Sequence, residues 1–138
     1  MRRIILTGLL VLVGGCGKKA APTVPSLLDG LKDKDPAMRY YAAKELGHFG
    51  AAAAEAVPAL TEALKDEDKD VRMRAAYSLA EIGPDAKPAV PALREALKDK
   101  EQIVRKAAAS ALSQLQGTTG QAKQGDKSSR KHKRRSDS

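Results

Sequence analysis

Aromatic residues are scarce: the 138-residue chain has no Trp, one Phe and three Tyr, so aromatic clusters cannot organise a core. One Cys and two His exclude an internal disulfide framework and a multi-Cys/His zinc site. The glycine patterns that cradle dinucleotides or nucleoside triphosphates are missing as well. Most enzyme classes thereby lose their usual support. The apolar content, 42%, is rich in alanine, which favours close helix packing over bulky core filling.

Positive charge is also missing where a basic protein would carry it. The formal charge is +8, yet residues 1–19 contribute +4, residues 117–138 contribute +5, and the stretch between them is −1. A basic folded face is therefore not implied, and any nucleic-acid reading rests on the C-terminal run alone.

The N-terminus has the parts of an export signal. Arg2 and Arg3 precede an apolar run from Ile4 to Val13, too short to span ~30 Å of hydrocarbon. Val13-Gly14-Gly15-Cys16 follows. An aliphatic residue, two small residues and Cys resemble the lipobox of bacterial lipoproteins, although Leu is commoner where Val13 stands. The resemblance implies cleavage before Cys16, diacylglycerol on its thiol and acylation of the new N-terminus. Each buried CH₂ contributes about 0.8 kcal/mol, so several acyl chains anchor stably. The expected location is a bacterial cell envelope. Gly17 in place of an inner-membrane retention Asp favours the outer membrane.

The central segment repeats with a period of 33 residues. Val24-Pro25, Val57-Pro58 and Val90-Pro91 align, as do Leu31, Leu64 and Leu97, and Leu46, Leu79 and Leu112. Ala42-Ala43, Ala75-Ala76 and Ala108-Ala109 also align. Residues 57–83 and 90–116 are identical at 14 of 27 positions, which makes repeat architecture the strongest reading. Each unit reads as two helices. Pro25, Pro58 and Pro91 suit a first helical turn, and Asp35 and Asp68 suit N-caps of the second helix. Gly50 and Gly83 suit its end. Val71, Ala75, Leu79 and Ile82 form one apolar stripe. A single helix pair cannot bury that stripe alone, whereas stacked pairs share a core.

This pattern resembles bacterial HEAT repeats of the phycobilisome-lyase-like type over about 24–117. The resemblance implies an all-α fold, an α-solenoid of three helical hairpins with about six helices. The expected organisation is a signal peptide at 1–15, a lipidated linker at 16–23, units at 24–56, 57–89 and 90–117, and a disordered basic tail at 118–138. Most relatives of this type are protein-binding scaffolds, and a few act in bilin attachment or hydroxylation.

The repeated acids and bases, Asp33, Asp66, Asp99 and Arg39, Arg72, Arg105, recur once per unit, so a unit-level role outranks catalysis. Similarly placed residues in HEAT arrays form a ladder of ion pairs, the role assigned to them. Asp66, Asp68 and Asp70 open like an EF-hand loop, but Val71 and Tyr77 stand where Gly and Glu are needed. His48-Phe49 and His132-Lys133 are not the His-Glu dyads of HEAT-type hydroxylases. No cofactor, metal or catalytic residue is expected. The second helices tend to line the concave side, which nominates Tyr40, Tyr41, Lys44, Met73, Arg74, Tyr77, Lys106 and Ser110 as a protein-binding face. Arg130, Lys131, Lys133, Arg134 and Arg135 form an electrostatic tail for an anionic surface. The leading expectation is a membrane-anchored scaffold that binds another protein. The alternatives are a lyase-like enzyme or its accessory subunit, and a binder of anionic polymer or nucleic acid through the tail.

Overall fold

The computed structural model describes residues 20–117. Six α-helices follow one another: α1 (Val24–Gly30), α2 (Pro36–His48), α3 (Val57–Ala63), α4 (Lys69–Ile82), α5 (Val90–Ala96) and α6 (Gln102–Gly117). They pair as three hairpins, α1 with α2, α3 with α4 and α5 with α6. The architecture is the all-α repeat array that the 33-residue period predicts. α2 packs on α4 and α4 on α6 far more extensively than the first helices meet one another. The array therefore closes tightly along its second helices and splays along its first, which makes the second-helix side concave.

Local chemistry starts the helices where the sequence places them. Asp35 Oδ1 accepts the Ala37 amide at 2.9 Å, and Asp68 Oδ1 accepts those of Asp70 and Val71; each satisfies donors orphaned at a helix start. Thr23 and Ser26 form a reciprocal capping box on α1. The α3 and α5 starts lack a side-chain cap. They are entered instead from 3₁₀ turns, Gly50–Ala56 and Pro84–Ala89. Those turns are not visible in the period, because their alanines carry no helical spacing. They matter to packing all the same, since Ala53, Ala56, Ala86 and Ala89 are fully buried. Gly83 ends α4 at φ +86°, and Gly50 adopts φ +53°, the left-handed region that glycine enters without a Cβ penalty.

The core is one continuous cluster. Leu46, Leu60, Leu79, Leu93, Val71 and Val104 are its largest fully buried side chains. Alanine supplies the rest. Ala43 and Ala76 have no exposure, and small side chains here let successive second helices approach closely. Gly47 takes this furthest: a Cβ on it would collide with Glu81 Oε2 and lie 3.0 Å from the Ser78 backbone. Ala109, expected to match Ala43 and Ala76, is exposed instead, because no further unit packs on α6 among the described residues. Leu79 sits at the centre of this cluster. Leu79→Ala is expected to cost about 3 kcal/mol, measured as a lower urea midpoint with the m-value unchanged.

Candidate functional site

Two of the unit-repeated ion pairs close between units. Arg39 donates through Nε and Nη2 to the two Asp66 carboxylate oxygens at 2.8 and 2.9 Å. Arg72 does the same to Asp99 at 2.7 and 3.0 Å. In each case Nη1 turns back to its own unit: Arg39 to the carbonyls of Asp33 and Lys34, Arg72 to those of Asp66 and Glu67. The receiving carboxylate also accepts the amide two residues on, Asp68 for Asp66 and Glu101 for Asp99. One planar guanidinium thus welds its own turn to the next unit's turn, a geometry that Lys cannot reproduce. Arg39 and Arg72 are buried.

The ladder is shorter than its six members suggest. Asp33 accepts the Asp35 amide at 2.8 Å but no guanidinium, and Arg105 donates only to the carbonyls of Asp99 and Lys100. These residues stand at the two ends of the array, where the neighbouring unit that would complete a rung is missing among the described residues.

Protonation follows the rungs. Burial pushes the Asp99 carboxyl up, but the Arg72 hydrogen bond and the Glu101 amide outweigh it and hold the group below its ordinary value. The hydrogen bond to Asp66, against burial, raises the Arg39 guanidinium further above its already high value. A depressed carboxylate contributes stability that is present above its unfolded pKa and lost as pH falls through the folded one.

The eight residues expected to form a binding face divide by position. Tyr40 and Lys44 on α2, Met73 and Tyr77 on α4, and Lys106 and Ser110 on α6 keep the same repeat register and helical spacing, so they share the concave side. Tyr40, Met73 and Tyr77 are half-buried against the core. Between α2 and α4 they leave a shallow groove of about 420 Å³, lined by Pro36, Ala37, Tyr40 and Met73 and edged by Asp68 and Asp70. Tyr41 is exposed, whereas its register partners Arg74 and Ala107 are covered. Arg74 is largely covered and donates through Nη2 to both Glu81 oxygens, while its Nε is buried without a hydrogen bond. Arg74 is thus paired along its own helix rather than free at the surface.

Ser78 is invisible to the repeat pattern. It is fully buried and its hydroxyl donates to the Ala43 carbonyl across the unit boundary at 2.6 Å. Its register partners are Glu45 and Ala111, so repetition gave no signal for it. A larger groove of about 700 Å³ opens on the outer side, lined by Leu64, Pro91, Ala92 and Ala96 above the Arg72–Asp99 pair. Lys65, Asp66, Glu95 and Lys100 add charge to its lining. Among the described residues, no group of three or more His, Cys, Asp or Glu could hold a metal ion, and no helix is long and apolar enough to cross a membrane. Cys16 and the tail residues Arg130, Lys131, Lys133, Arg134 and Arg135 lie outside the described residues.

Removing one partner of a buried pair strands the other, so Arg72→Ala is expected to lower stability by about 3 kcal/mol. Arg105→Ala, which ends no rung, is expected to cost about 1 kcal/mol; urea unfolding of the two variants measures the gap. Stability should hold from neutral pH down to about pH 4 and fall below it as Asp99 protonates. Asp99→Asn should flatten that acid limb in thermal melts across the range.

Comparison with known proteins places the array. A family model described as HEAT repeats matches residues 24–113. Among solved structures, the complex of CpcE and CpcF of phycocyanin lyase from Nostoc sp. PCC7120 is similar, with 33% identity and a TM-score of 0.63. The match covers 73% of this chain and 41% of that one, so the chain spans less than half of that protein's length. No curated protein sequence matches. With its 33-residue hairpins, inter-unit Arg–Asp pairs and family match, the chain belongs to the HEAT-repeat family.

Proposed function

We propose that the protein is a lipid-anchored scaffold whose concave groove binds a segment of another protein. The groove between α2 and α4 carries this reading. Tyr40 and Met73 offer a half-buried apolar floor, and residue types of this kind are enriched at interface hot spots. Asp68 and Asp70 edge the floor, which favours an occupant that carries basic residues beside an apolar anchor. The array supplies a preformed surface, which lowers the ordering cost of association. The anchor rests on Arg2 and Arg3, the apolar run to Val13 and the Val13-Gly14-Gly15-Cys16 sequence. Tail residues 130–135 would add electrostatic attraction to an anionic surface.

The likeness to a phycocyanin lyase complex supports a second reading, an accessory subunit of a lyase. No residue of the groove has a catalytic partner arrangement, so such a role would consist of binding a catalytic subunit or its substrate protein. Bilin transfer that requires this chain would favour it.

Tyr40→Ala combined with Met73→Ala is expected to weaken capture of the protein partner from native membranes at least about tenfold, with the helical far-UV spectrum unchanged. Retention of every partner would overturn the choice of face. Wild-type protein should incorporate labelled acyl chains and stay with membranes in high salt, whereas Cys16→Ser should do neither. Membrane retention of that variant at high salt counts against the anchor.

A further inference from the structure

The two ends of the array carry the two halves of an unmade rung. At the C-terminal end Arg105 is already oriented. Its Nη1 donates to the Asp99 and Lys100 carbonyls at 2.6 and 2.9 Å, as Nη1 of Arg39 and Arg72 does in their own units. Its Nε and Nη2, which in those residues grip the next unit's carboxylate, have no partner among the described residues. At the N-terminal end Asp33 is likewise set. Its Oδ1 accepts the Asp35 amide at 2.8 Å, matching Asp66 with Asp68 and Asp99 with Glu101, but no guanidinium reaches it among the described residues. The residue after Asp33 is Lys34, and the residue after Asp99 is Lys100. The closed Arg72–Asp99 rung thus shows that a lysine at this position is compatible with pairing.

The surfaces around these half-rungs agree. On the N-terminal end Met38 is 47% and Phe49 38% exposed, where their register partners Val71 and Ile82 are 0% and 2% exposed beneath the preceding unit. Tyr41 is exposed beside them. On the C-terminal end the sequence Arg105, Ala109, Leu112, Ser113 repeats the small-residue face of Arg39, Ala43, Leu46, Gly47 and of Arg72, Ala76, Leu79, Ala80, the faces on which a following unit packs. Ala109 and Ser113 are exposed where Ala43 and Gly47 are buried. Charge is complementary at the rung: the C-terminal end presents Arg105, and the N-terminal end Asp33 and Glu45.

We infer that a second copy of this chain docks head to tail, the C-terminal end of one on the N-terminal end of the next. Arg105 pairs with Asp33 of the second copy, and Met38, Tyr41 and Phe49 cover Ala109 and Ser113. The contact continues the array by its own repeat operation. It is heterologous, so it leaves a free half-rung at each end and allows growth beyond a dimer.

Sedimentation equilibrium of the full chain in a density-matched detergent tests this. Wild-type protein is expected to form dimers and longer species as concentration rises into the tens of micromolar. Asp33→Arg and Arg105→Glu should each weaken association at least about tenfold by placing like charges in the rung. The double variant Asp33→Arg/Arg105→Glu should restore it, because the pair is then reversed. That rescue requires folded protein, so it also shows that the single variants fail through charge. Wild-type protein that stays monomeric throughout, or is held monomeric by its own N-terminal segment, overturns the inference. So does wild-type-like association of Arg105→Glu, the result expected if N-terminal ends paired with each other, and so does failure of the double variant to recover.

Discussion

Everything in this array depends on a guanidinium that serves two units at once. Arg72 fixes the turn of its own hairpin through two carbonyls and seizes the turn of the next through a bidentate carboxylate. Each hairpin alone has too little apolar surface to hold a seven-residue first helix against its partner. The rung sets the spacing and rotation at which neighbouring stripes meet, and burial then provides the stabilisation. Because both charges are largely removed from water, the pair specifies register more than it adds net stability.

Close approach is the second half of that bargain. Gly47, Ala43 and Ala76 admit the facing helix to a distance that larger side chains would prevent, and Ser78 uses that proximity to bond a backbone carbonyl. Small residues also explain why a chain with so few aromatics holds a continuous core. Its interior is filled by many short contacts rather than by large anchors.

Function follows from what the stacking leaves uncovered. The second helices bring Tyr40 and Met73 side by side only because α2 and α4 are held in register, and the acidic turn that supplies the rung also supplies Asp68 at the groove's edge. The ends are uncovered for a different reason. A repeat operation has no natural stopping point, and among the described residues it stops with Arg105 lacking a carboxylate and with Met38 and Phe49 exposed.

The 33-residue period was enough to determine the number of hairpins, the capping acids and the buried stripe Val71, Ala75, Leu79 and Ile82, because identical units must solve the same local problem the same way. It also marked Asp33, Asp66, Asp99, Arg39, Arg72 and Arg105 as one ladder, since residues that recur in every unit serve the unit, but only the Arg39–Asp66 and Arg72–Asp99 rungs close among the described residues. Position-specific features escaped it. Ser78 and the exposure of Tyr41 depend on which neighbour lies across a boundary, and the 3₁₀ turns and the Arg74–Glu81 pair belong to single positions rather than to the repeat. Periodicity is a property of one chain direction, whereas burial and pairing are set in three dimensions, so only the tertiary structure decided which copies of a repeated residue are satisfied and which are left open.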